Sequence, residues 1–418
     1  MDVVPSVWVA SSTSTWGRLD DSHDCDLAVI GAGIVGLTAA DVASSHGLRV
    51  TVVDAGTIGG GASGRNAAGV APVWGAQTPD GAIGVLGTDR AAILNAALAA
   101  SSAKLFARAR SLSVDCSIRE GGFLTLAAKK ETAASLPSLA EQWRRAGMDV
   151  TVLDKSLAHY VDSPRYVGGL LFAAGGTLNP LAYAKGLALA CEERGARIFE
   201  NSLVTAVMRQ TDGRWLIKSA GRVINAATVI VAVNGAAGLG YDLDRIGLRI
   251  ECQLLGSAPM SERQWSALPR CPTFADLDDA SIFGGTVAAD GRFVTTVLPG
   301  PRPFSLSEAG DMIAGKFARA FPSFGKPDWR SIDSGHILVT ANKLPQLFEL
   351  GPGFYAGQGC NGYGLCAGTL LGEDLARLAL IRDDMPRRFL LEQPRATPFS
   401  RIVTSLIKRV MPLARRFS

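Results

Sequence analysis

The stretch Asp26-Leu-Ala-Val-Ile30, followed by Gly31-Ala-Gly33-Ile-Val-Gly36, decides the fold of this chain. The first five residues are a short apolar run of strand type, and the next six carry the spacing GxGxxG. Residues 37–45 have a helical pattern, and a second apolar run, Arg49-Val-Thr-Val-Val-Asp54, ends on an acid. In this order the parts predict a strand, turn, helix and strand that bind a dinucleotide.

Each glycine of this motif and its terminal acid has a physical reason. Gly31 permits the tight turn, Gly33 lets the backbone approach a pyrophosphate, and Gly36 lets helix and strand pack closely. Free N–H groups at the helix N-terminus attract the phosphates. Asp54 can accept hydrogen bonds from a ribose hydroxyl. The alternative is a glycine-rich turn in an ordinary βαβ unit.

Composition limits the class of protein. A chain of 418 residues is too long for one simple core, so two interleaved domains are expected. The residues are 47% hydrophobic and 19% charged, which is typical of a compact globular protein. The net charge of +4, without a basic run among aromatic residues, argues against nucleic acid as a partner.

Cysteine and histidine usage argues against a disulfide framework and a metal site. The seven cysteines are scattered without a CxxC pair, as in a reducing compartment, and the four histidines form no HxH or HExxH motif. The first two dozen residues lack the pattern of a signal peptide. We therefore expect a cytoplasmic protein without a metal.

Several elements can be read from local signals. Pro180 suits the first turn of a helix over residues 181–194, and Gly195 suits its end. A helix over residues 305–321 has Ser305 or Ser307 as its cap. Residues 228–233 predict a buried parallel strand, separate from a short strand at 223–225.

Five blocks of sequence together resemble the D-amino-acid oxidase superfamily of flavoproteins. The resemblance is nearest to its bacterial branch of γ-glutamylputrescine and pipecolate oxidases, with glycine and sarcosine oxidases more distant. The blocks are Val29 to Ala40, Gly61-Ala-Ser-Gly-Arg-Asn66, Gly176-Thr-Leu-Asn-Pro180 with Tyr183, Val231-Ala-Val-Asn-Gly235, and Tyr355 to Gly364. They span about residues 26–385.

The resemblance implies an FAD site, with the cofactor held non-covalently. It assigns the pyrophosphate to Gly31, Gly33 and Gly36, the ribose to Asp54 and the adenine to the backbone of Val204. Ser63, Arg65 and Asn66 would line the segment between pyrophosphate and flavin. Asn361, Gly362, Tyr363 and Gly364 would lie at the flavin edge, and Gly235 of the fourth block is a further cofactor position. Backbone N–H groups at the flavin edge can stabilise negative charge on the reduced ring.

The fold implied is a Rossmann-type α/β domain assembled from discontinuous segments, with an inserted α+β domain that carries a mixed or antiparallel sheet. The predicted parts are an N-terminal extension at 1–24, the FAD-binding domain at 25–89, 180–245 and 329–385, the substrate-binding domain at 90–179 and 246–328, and a basic amphipathic segment at 386–418.

Four departures from the family pattern fall near the substrate wall or the ribose. Asp54 stands where relatives usually carry Glu, and Asn342 stands where they carry Asp. Asp290-Gly-Arg292 lacks the glycine pair that follows in relatives, and Gly284-Gly285 replaces an arginine. The substrate is therefore what the resemblance determines least.

The family reaction, as the resemblance implies, moves a hydride from the carbon beside an amine to flavin N5, and the resulting imine hydrolyses. Lys343 and Arg292 are candidates to bind a substrate carboxylate. Gln253 and Tyr363 are further pocket candidates. Each has an ordinary structural alternative, and His336 is interpreted as structural.

The C-terminal segment and the electron acceptor leave alternatives open. In residues 401–417 the apolar Val403, Leu406, Ile407, Val410 and Ala414 share a helical face that could dock on the protein or lie on an anionic membrane at its inner side. Electrons could pass to oxygen, to a quinone or to a partner subunit. A pyridine-nucleotide reductase would need a second GxGxxG in mid-chain, which is missing.

Overall fold

Strands and helices alternate along the residues that the computed structural model describes, namely 6–10, 12, 14–235, 239, 243–279, 282–380 and 388–414. The strands are β1 His23–Ile30, β2 Val50–Val53, β3 Gly69–Val70, β4 Arg119–Glu120, β5 Phe123–Ala127, β6 Val150–Leu153, β7 Gly168–Phe172, β8 Gly176–Thr177, β9 Arg197–Phe199, β10 Val204–Arg209, β11 Trp215–Ser219, β12 Arg222–Val231, β13 Leu248–Pro259, β14 Thr273–Asp276, β15 Gly284–Val287, β16 Arg292–Val297, β17 Trp329–Val339, β18 Gln346–Gly351, β19 Phe354–Gln358 and β20 Leu391–Glu392. The helices are α1 Ile34–Ser45, α2 Pro79–Leu86, α3 Thr88–Arg110, α4 Lys130–Arg145, α5 Pro180–Glu193, α6 Glu262–Ala267, α7 Leu306–Ala320, α8 Gly364–Ala379 and α9 Ser400–Ala414.

The first sheet is the Rossmann-type sheet. Its main path runs β20-β18-β19-β12-β1-β2-β9, and the pairs of β1 with β2, of β1 with β12 and of β12 with β19 are parallel. Helix α1 packs against α5 and α8 over this sheet. The second half of β1, Leu27 to Ile30, and all of β2 are buried, because the centre of a parallel sheet is covered on both faces.

Strand β12 joins two elements that the sequence predicted as separate. On one side it pairs parallel with β1 over residues 224–231; on the other, residues 222–226 pair antiparallel with β11 and residues 229–231 pair parallel with β19. The buried parallel strand is therefore confirmed, but it begins at Arg222, since one continuous strand serves both neighbours. The helix α5 also matches its prediction, with Pro180 in the first turn and Gly195 at a φ of +84° after the end.

The second sheet is mixed, in the order β17-β13-β16-β15-β14-β5-β7-β6, with β14 and β5 parallel and the other pairs antiparallel. Helix α7 packs beneath it and begins with the predicted Ser305 cap, whose side chain forms a capping box with Glu308. Its Phe317 stacks on Phe324 at 4.3 Å and meets Phe293 edge-on at 5.2 Å. This aromatic cluster is the core of the second sheet.

Two elements lie elsewhere than the predicted domain segments suggest. Strand β17 begins at the predicted start of an FAD segment but pairs along its whole length with β13 in the second sheet. Helix α3 falls in a predicted substrate segment but packs against α8 of the first sheet. Its buried Leu94, Leu98 and Leu105 belong to the same core as α1. Both placements depend on which distant surface the segment packs against, and its position in the sequence does not show this.

The described residues include neither a membrane-spanning helix nor a metal-binding cluster. No helix there has both the length and the apolar character needed to cross a bilayer. In the same part of the chain, no three His, Cys, Asp or Glu side chains are grouped so as to hold a metal ion.

Candidate active site

A cavity of about 600 Å³ lies where the parallel strands β1, β2 and β12 end and the second sheet begins. It is lined by residues 30–35, 53–55, 61–63, 66, 202–205, 232–234, 239, 336–338, 357, 358, 360–362 and 364. Ligands of open α/β sheets bind at these carboxyl ends. The cavity extends to β17, so both sheets contribute to its wall.

The glycine turn after β1 is shaped by close backbone approach. Gly31 has a φ of +108°, and a Cβ there would stand 2.6 Å from the carbonyl oxygen of Ala232. A Cβ on Gly36 would stand only 2.0 Å from the carbonyl oxygen of Gly31. A side chain at either position would push α1 away from the sheet. Gly33 lines the cavity directly before α1.

Asp54, at the end of β2, ties two loops together at the cavity wall. Its Oδ2 accepts a hydrogen bond from the Ala32 N–H at 2.7 Å, and its Oδ1 accepts one from the Gly56 N–H at 2.8 Å. A carboxylate has about four acceptor sites, so capacity remains for a ribose hydroxyl. The shorter Asp in place of Glu thus reaches both the glycine turn and the cavity.

The loop of residues 61–66 lies over the N-terminus of α1. Ser63 Oγ accepts a hydrogen bond from the Ile34 N–H at 2.9 Å, which supplies the cap that Gly33 lacks. Asn66 donates from its amide to the Ser63 carbonyl at 2.7 Å and accepts from the Ala68 N–H at 2.9 Å. Ser63 and Asn66 line the cavity, whereas Arg65 is exposed and is not among the lining residues.

Residues 6–10, here called the N-terminal strap, hold this loop against the second sheet. Trp8 is buried and donates from Nε1 to the Asn66 carbonyl at 2.8 Å. The Val7 N–H donates to Asp333 of β17 at 2.7 Å. Sequence reasoning missed the strap because it lies in the N-terminal extension, far along the chain from every residue it contacts.

Arg292, a candidate for substrate binding, belongs to the strap instead. Its guanidinium donates to the Val7 carbonyl at 2.6 Å, pairs with Asp290 at 2.7 Å, and lies 5.4 Å from the centre of the Trp8 ring. It is not among the residues that line the cavity. The charge that suggested a substrate contact is engaged in a structural one.

Gln253 and Lys343 also lie outside the cavity lining. Gln253 is buried, and its amide donates to the Phe304 carbonyl at 3.0 Å and accepts from the Phe304 N–H at 2.8 Å. Lys343 is exposed in the turn after β17, with a φ of +59°. The spacing of these residues along the chain gave no signal of either placement.

The loop between β19 and α8 forms the other end of the cavity. Asn361 has a φ of +52°, and its Oδ1 accepts a hydrogen bond from the Thr340 N–H at 2.9 Å, which joins the loop to the end of β17. Gly362 and Gly364 line the cavity, and α8 begins at Gly364. The N-termini of α1 and α8 therefore meet the same cavity, and both favour negative charge.

Tyr363 lies behind this loop and is not among the lining residues. Its ring meets Phe123 of β5 edge-on at 6.5 Å, and burial raises the pKa of its phenol, which stays protonated at neutral pH. Cys360 does line the cavity, and burial raises the pKa of its thiol to about 12. At neutral pH it is therefore a thiol.

The remaining predicted positions lie at the cavity rim or beside it. Val204, at the start of β10, lines the cavity with Ser202 and Thr205. Gly235 has a φ of +71° and is not among the lining residues, whereas its neighbour Asn234 is. Asn234 donates to the His336 carbonyl at 3.0 Å, and His336 itself lines the cavity from β17.

These features fit a flavin dinucleotide. The glycine turn offers a close backbone at the start of α1, Asp54 stands at the end of β2, and the N-terminus of α8 borders the same cavity. The site thus places the pyrophosphate-binding turn and a second helix N-terminus that favours anions in one cavity, which the second sheet also borders.

Comparison with known proteins agrees with this geometry. The model of the family described as FAD dependent oxidoreductase (DAO) matches residues 26–378. Gamma-glutamylputrescine oxidoreductase of Escherichia coli (strain K12) is 28% identical over 396 residues, which cover 90% of this chain and 88% of that protein. Glycine oxidase of Geobacillus kaustophilus (strain HTA426) is 26% identical over 341 residues, covering 78% and 85%. The crystal structure of L-proline dehydrogenase from P. horikoshii has a TM-score of 0.72 at 17% identity, covering 87% of this chain and 96% of that one, and so shares the fold.

Proposed function

The chain belongs to the DAO family of FAD-dependent oxidoreductases, and from this premise we propose that it oxidatively deaminates a small primary or secondary amine. The protein is an FAD flavoprotein and an oxidoreductase that acts on amines or amino acids. The proposed substrates are an amino acid, an imino acid or a polyamine derivative. The names of the relatives from E. coli and G. kaustophilus support this range.

The proposed cofactor contacts follow the order of residues along the cavity. The turn at Gly31 and Gly33 holds the pyrophosphate, and Asp54 accepts from the ribose. Val204 contacts the adenine through its backbone, and the loop of residues 361–364 borders the flavin. Ser63 and Asn66 act by holding the loop of residues 61–66 over the start of α1.

When bound, FAD supplies an acceptor at N5 for the hydride of the carbon beside the amine, and the product is an imine that water hydrolyses. The chain's own residues position the reactants and exclude water. Ile337 and Leu338 give the substrate-side wall of β17 an apolar surface. Such a surface favours the neutral form of an amine over the ammonium ion, because burial disfavours charge. The neutral form carries the lone pair that the reaction needs.

The single observation that carries the proposal is the continuity of the cavity. Asp54 at the end of β2, residues 336–338 on the second sheet and the N-terminus of α8 all line this one cavity. The N-terminus of α8 and residues 336–338 would border a flavin bound in it. The positive end of α8 would stabilise negative charge on the reduced ring.

The test is anaerobic reduction of the purified flavoprotein by a panel of amines. Pipecolate, proline, sarcosine, glycine, both alanine enantiomers and γ-glutamylputrescine are mixed with the protein, and the flavin absorbance near 450 nm is followed. We expect one member of the panel to bleach the flavin. Readmission of air then separates an oxidase, which recovers its colour at once, from a dehydrogenase, which does not.

Dithionite provides the control, because it reduces an accessible flavin without a substrate site. A protein that dithionite bleaches and no amine bleaches would contradict the proposal for the isolated chain. That result would favour the alternative, an FAD subunit of a heteromeric or membrane-associated dehydrogenase. Addition of the co-purified partner would then restore amine-dependent bleaching, and a quinone added afterwards would reoxidise the reduced flavin.

A further inference from the structure

Helix α9 carries the densest group of exposed apolar side chains among the described residues. Phe399, directly before the helix, is 74% exposed, Ile402 is 65% exposed and Leu406 is 57% exposed, with Val403 at 37% beside them. The spacing of three, four and seven residues places them along one side of the helix. We call these four residues the apolar stripe. Such a patch marks an interaction surface.

A different side of α9 is held by the protein body. Ser400 is buried, and Thr404 and Ile407 are partly buried. Just before the helix, the Thr397 N–H donates to the Arg245 carbonyl at 2.8 Å, and its hydroxyl donates to the Ile246 carbonyl. The helix therefore has a fixed seat next to β13, which leaves the apolar stripe outward.

This arrangement differs from the docked alternative raised by the sequence. Val403 and Leu406 belong to the helix face that would be buried if the helix packed against its own protein, yet both are exposed. Ile407 alone of the described members of that face is partly covered. The side chains of Val410 and Ala414 lie outside the described residues.

The charged residues of the segment that carries the apolar stripe are all basic. Residues 395–418 contain six Lys and Arg residues and no Asp or Glu, at positions 395, 401, 408, 409, 415 and 416. The whole chain has 42 basic and 38 acidic residues, so residues 1–394 have 36 against 38 and a slight negative balance. Arg395 and Arg409 are exposed on either side of the apolar stripe along the chain.

We propose that α9 and the residues that precede it bind the surface of an anionic lipid membrane. The apolar stripe enters the boundary between headgroups and acyl chains, and the basic side chains meet the lipid phosphates. A second copy of the chain fits less well, because it would bring six more positive charges to the same place. The inference does not depend on which amine the enzyme oxidises.

The test is co-sedimentation of the full-length flavoprotein with vesicles. Phosphatidylcholine vesicles are compared with vesicles that contain roughly one-third phosphatidylglycerol, at low and high salt. The triple variant Phe399→Ser/Ile402→Ser/Leu406→Ser removes the stripe. Its matched control, Val167→Ser/Met208→Ser/Leu277→Ser, changes three side chains that are 45%, 41% and 43% exposed elsewhere.

We expect the wild type to sediment with the anionic vesicles only and to be released by high salt. The stripe variant should partition at least about tenfold less, whereas the matched control should bind as the wild type does. Arg395→Gln/Arg409→Gln should weaken binding and reduce its dependence on salt. Retained flavin absorbance confirms that each variant is folded.

Three results would overturn the proposal. The first is a wild type that stays in the supernatant with anionic vesicles, and the second is a stripe variant that binds as well as the wild type does. The third is a lipid-free dimer in sedimentation velocity that the stripe variant converts to a monomer. The apolar stripe would then belong to an interface between two copies.

Discussion

Replacement of Trp8 tests whether the N-terminal strap orders the cofactor loop. Trp8 is 3% exposed, packs in a small core with Val7, Ala68 and Val294, and donates to the Asn66 carbonyl. Trp8→Ala should lower the free energy of unfolding by about 3–5 kcal/mol, the usual cost of emptying such a site. Trp8→Phe keeps an aromatic ring, removes the N–H donor and leaves a smaller cavity than Trp8→Ala does.

The hydrogen bond from Trp8 to Asn66 sets the size of the expected effect on FAD binding. A neutral hydrogen bond contributes roughly 1 kcal/mol net. If the bond helps to hold the loop of residues 61–66 in the form that binds FAD, its loss should raise the FAD dissociation constant about fivefold, since about 1.4 kcal/mol is a factor of ten. Trp8→Phe should therefore weaken FAD binding with a smaller loss of stability than Trp8→Ala, which should weaken FAD binding and destabilise the protein strongly.

The assay combines urea unfolding of the apoprotein with titration of FAD, followed by the quenching of flavin fluorescence. The matched control is Trp143→Ala, because Trp143 is equally buried on α4 and meets Phe172 edge-on at 5.8 Å, away from the cavity lining. It should destabilise the apoprotein comparably and leave FAD affinity unchanged. Unchanged FAD affinity in both Trp8 variants would refute the role of the strap.

Three further substitutions probe the cofactor turn, the ribose carboxylate and the second core. Gly36→Ala puts a Cβ 2.0 Å from a backbone oxygen, so we expect the variant to hold little or no FAD, which its flavin content measures. In its control, Gly84→Ala, the Cβ meets nothing within 4 Å, so that variant should stabilise α2 by up to about 1 kcal/mol, as measured by thermal melting. Asp54→Asn weakens two charge-assisted hydrogen bonds and the proposed ribose contact. It should raise the FAD dissociation constant about 10- to 100-fold in the FAD titration described above. An unchanged dissociation constant would argue against the ribose role. Lys316 pairs with Asp279 at 2.9 Å with both side chains buried, so Lys316→Met should lower the free energy of unfolding by about 3–5 kcal/mol through the loss of this buried ion pair. Lys316→Met/Asp279→Leu should recover most of that loss in urea unfolding. A double variant no better than the single one would contradict this reasoning.

The Rossmann-type part of the fold was predictable because its signals are local. Gly36 is needed because a Cβ there would meet the carbonyl oxygen of Gly31, five residues earlier, and Asp54 follows the next strand directly. The start of α5 at Pro180 and the Ser305 cap of α7, one of two candidates, were also predicted, since each acts within three residues of itself. These contacts are encoded in short stretches of chain.

The substrate side was much less predictable. Arg292, Gln253 and Lys343 carry suitable functional groups, but a functional group does not reveal its partner. Arg292 bonds a residue 285 positions away in the chain, and Gln253 bonds one 51 positions away. The amine and the residues that bind it therefore depend on contacts that spacing along the chain does not encode.

The sequence by itself determined the dinucleotide turn, the family and the flavin cofactor, because these rest on short motifs in a fixed order. Only the tertiary structure decided that β17 joins the second sheet, that the N-terminal strap closes over Asn66, and that the apolar stripe of α9 faces outward. Each of these depends on which distant surface a segment covers. Burial is settled by the whole chain at once, whereas a turn or a helix cap is settled by its neighbours.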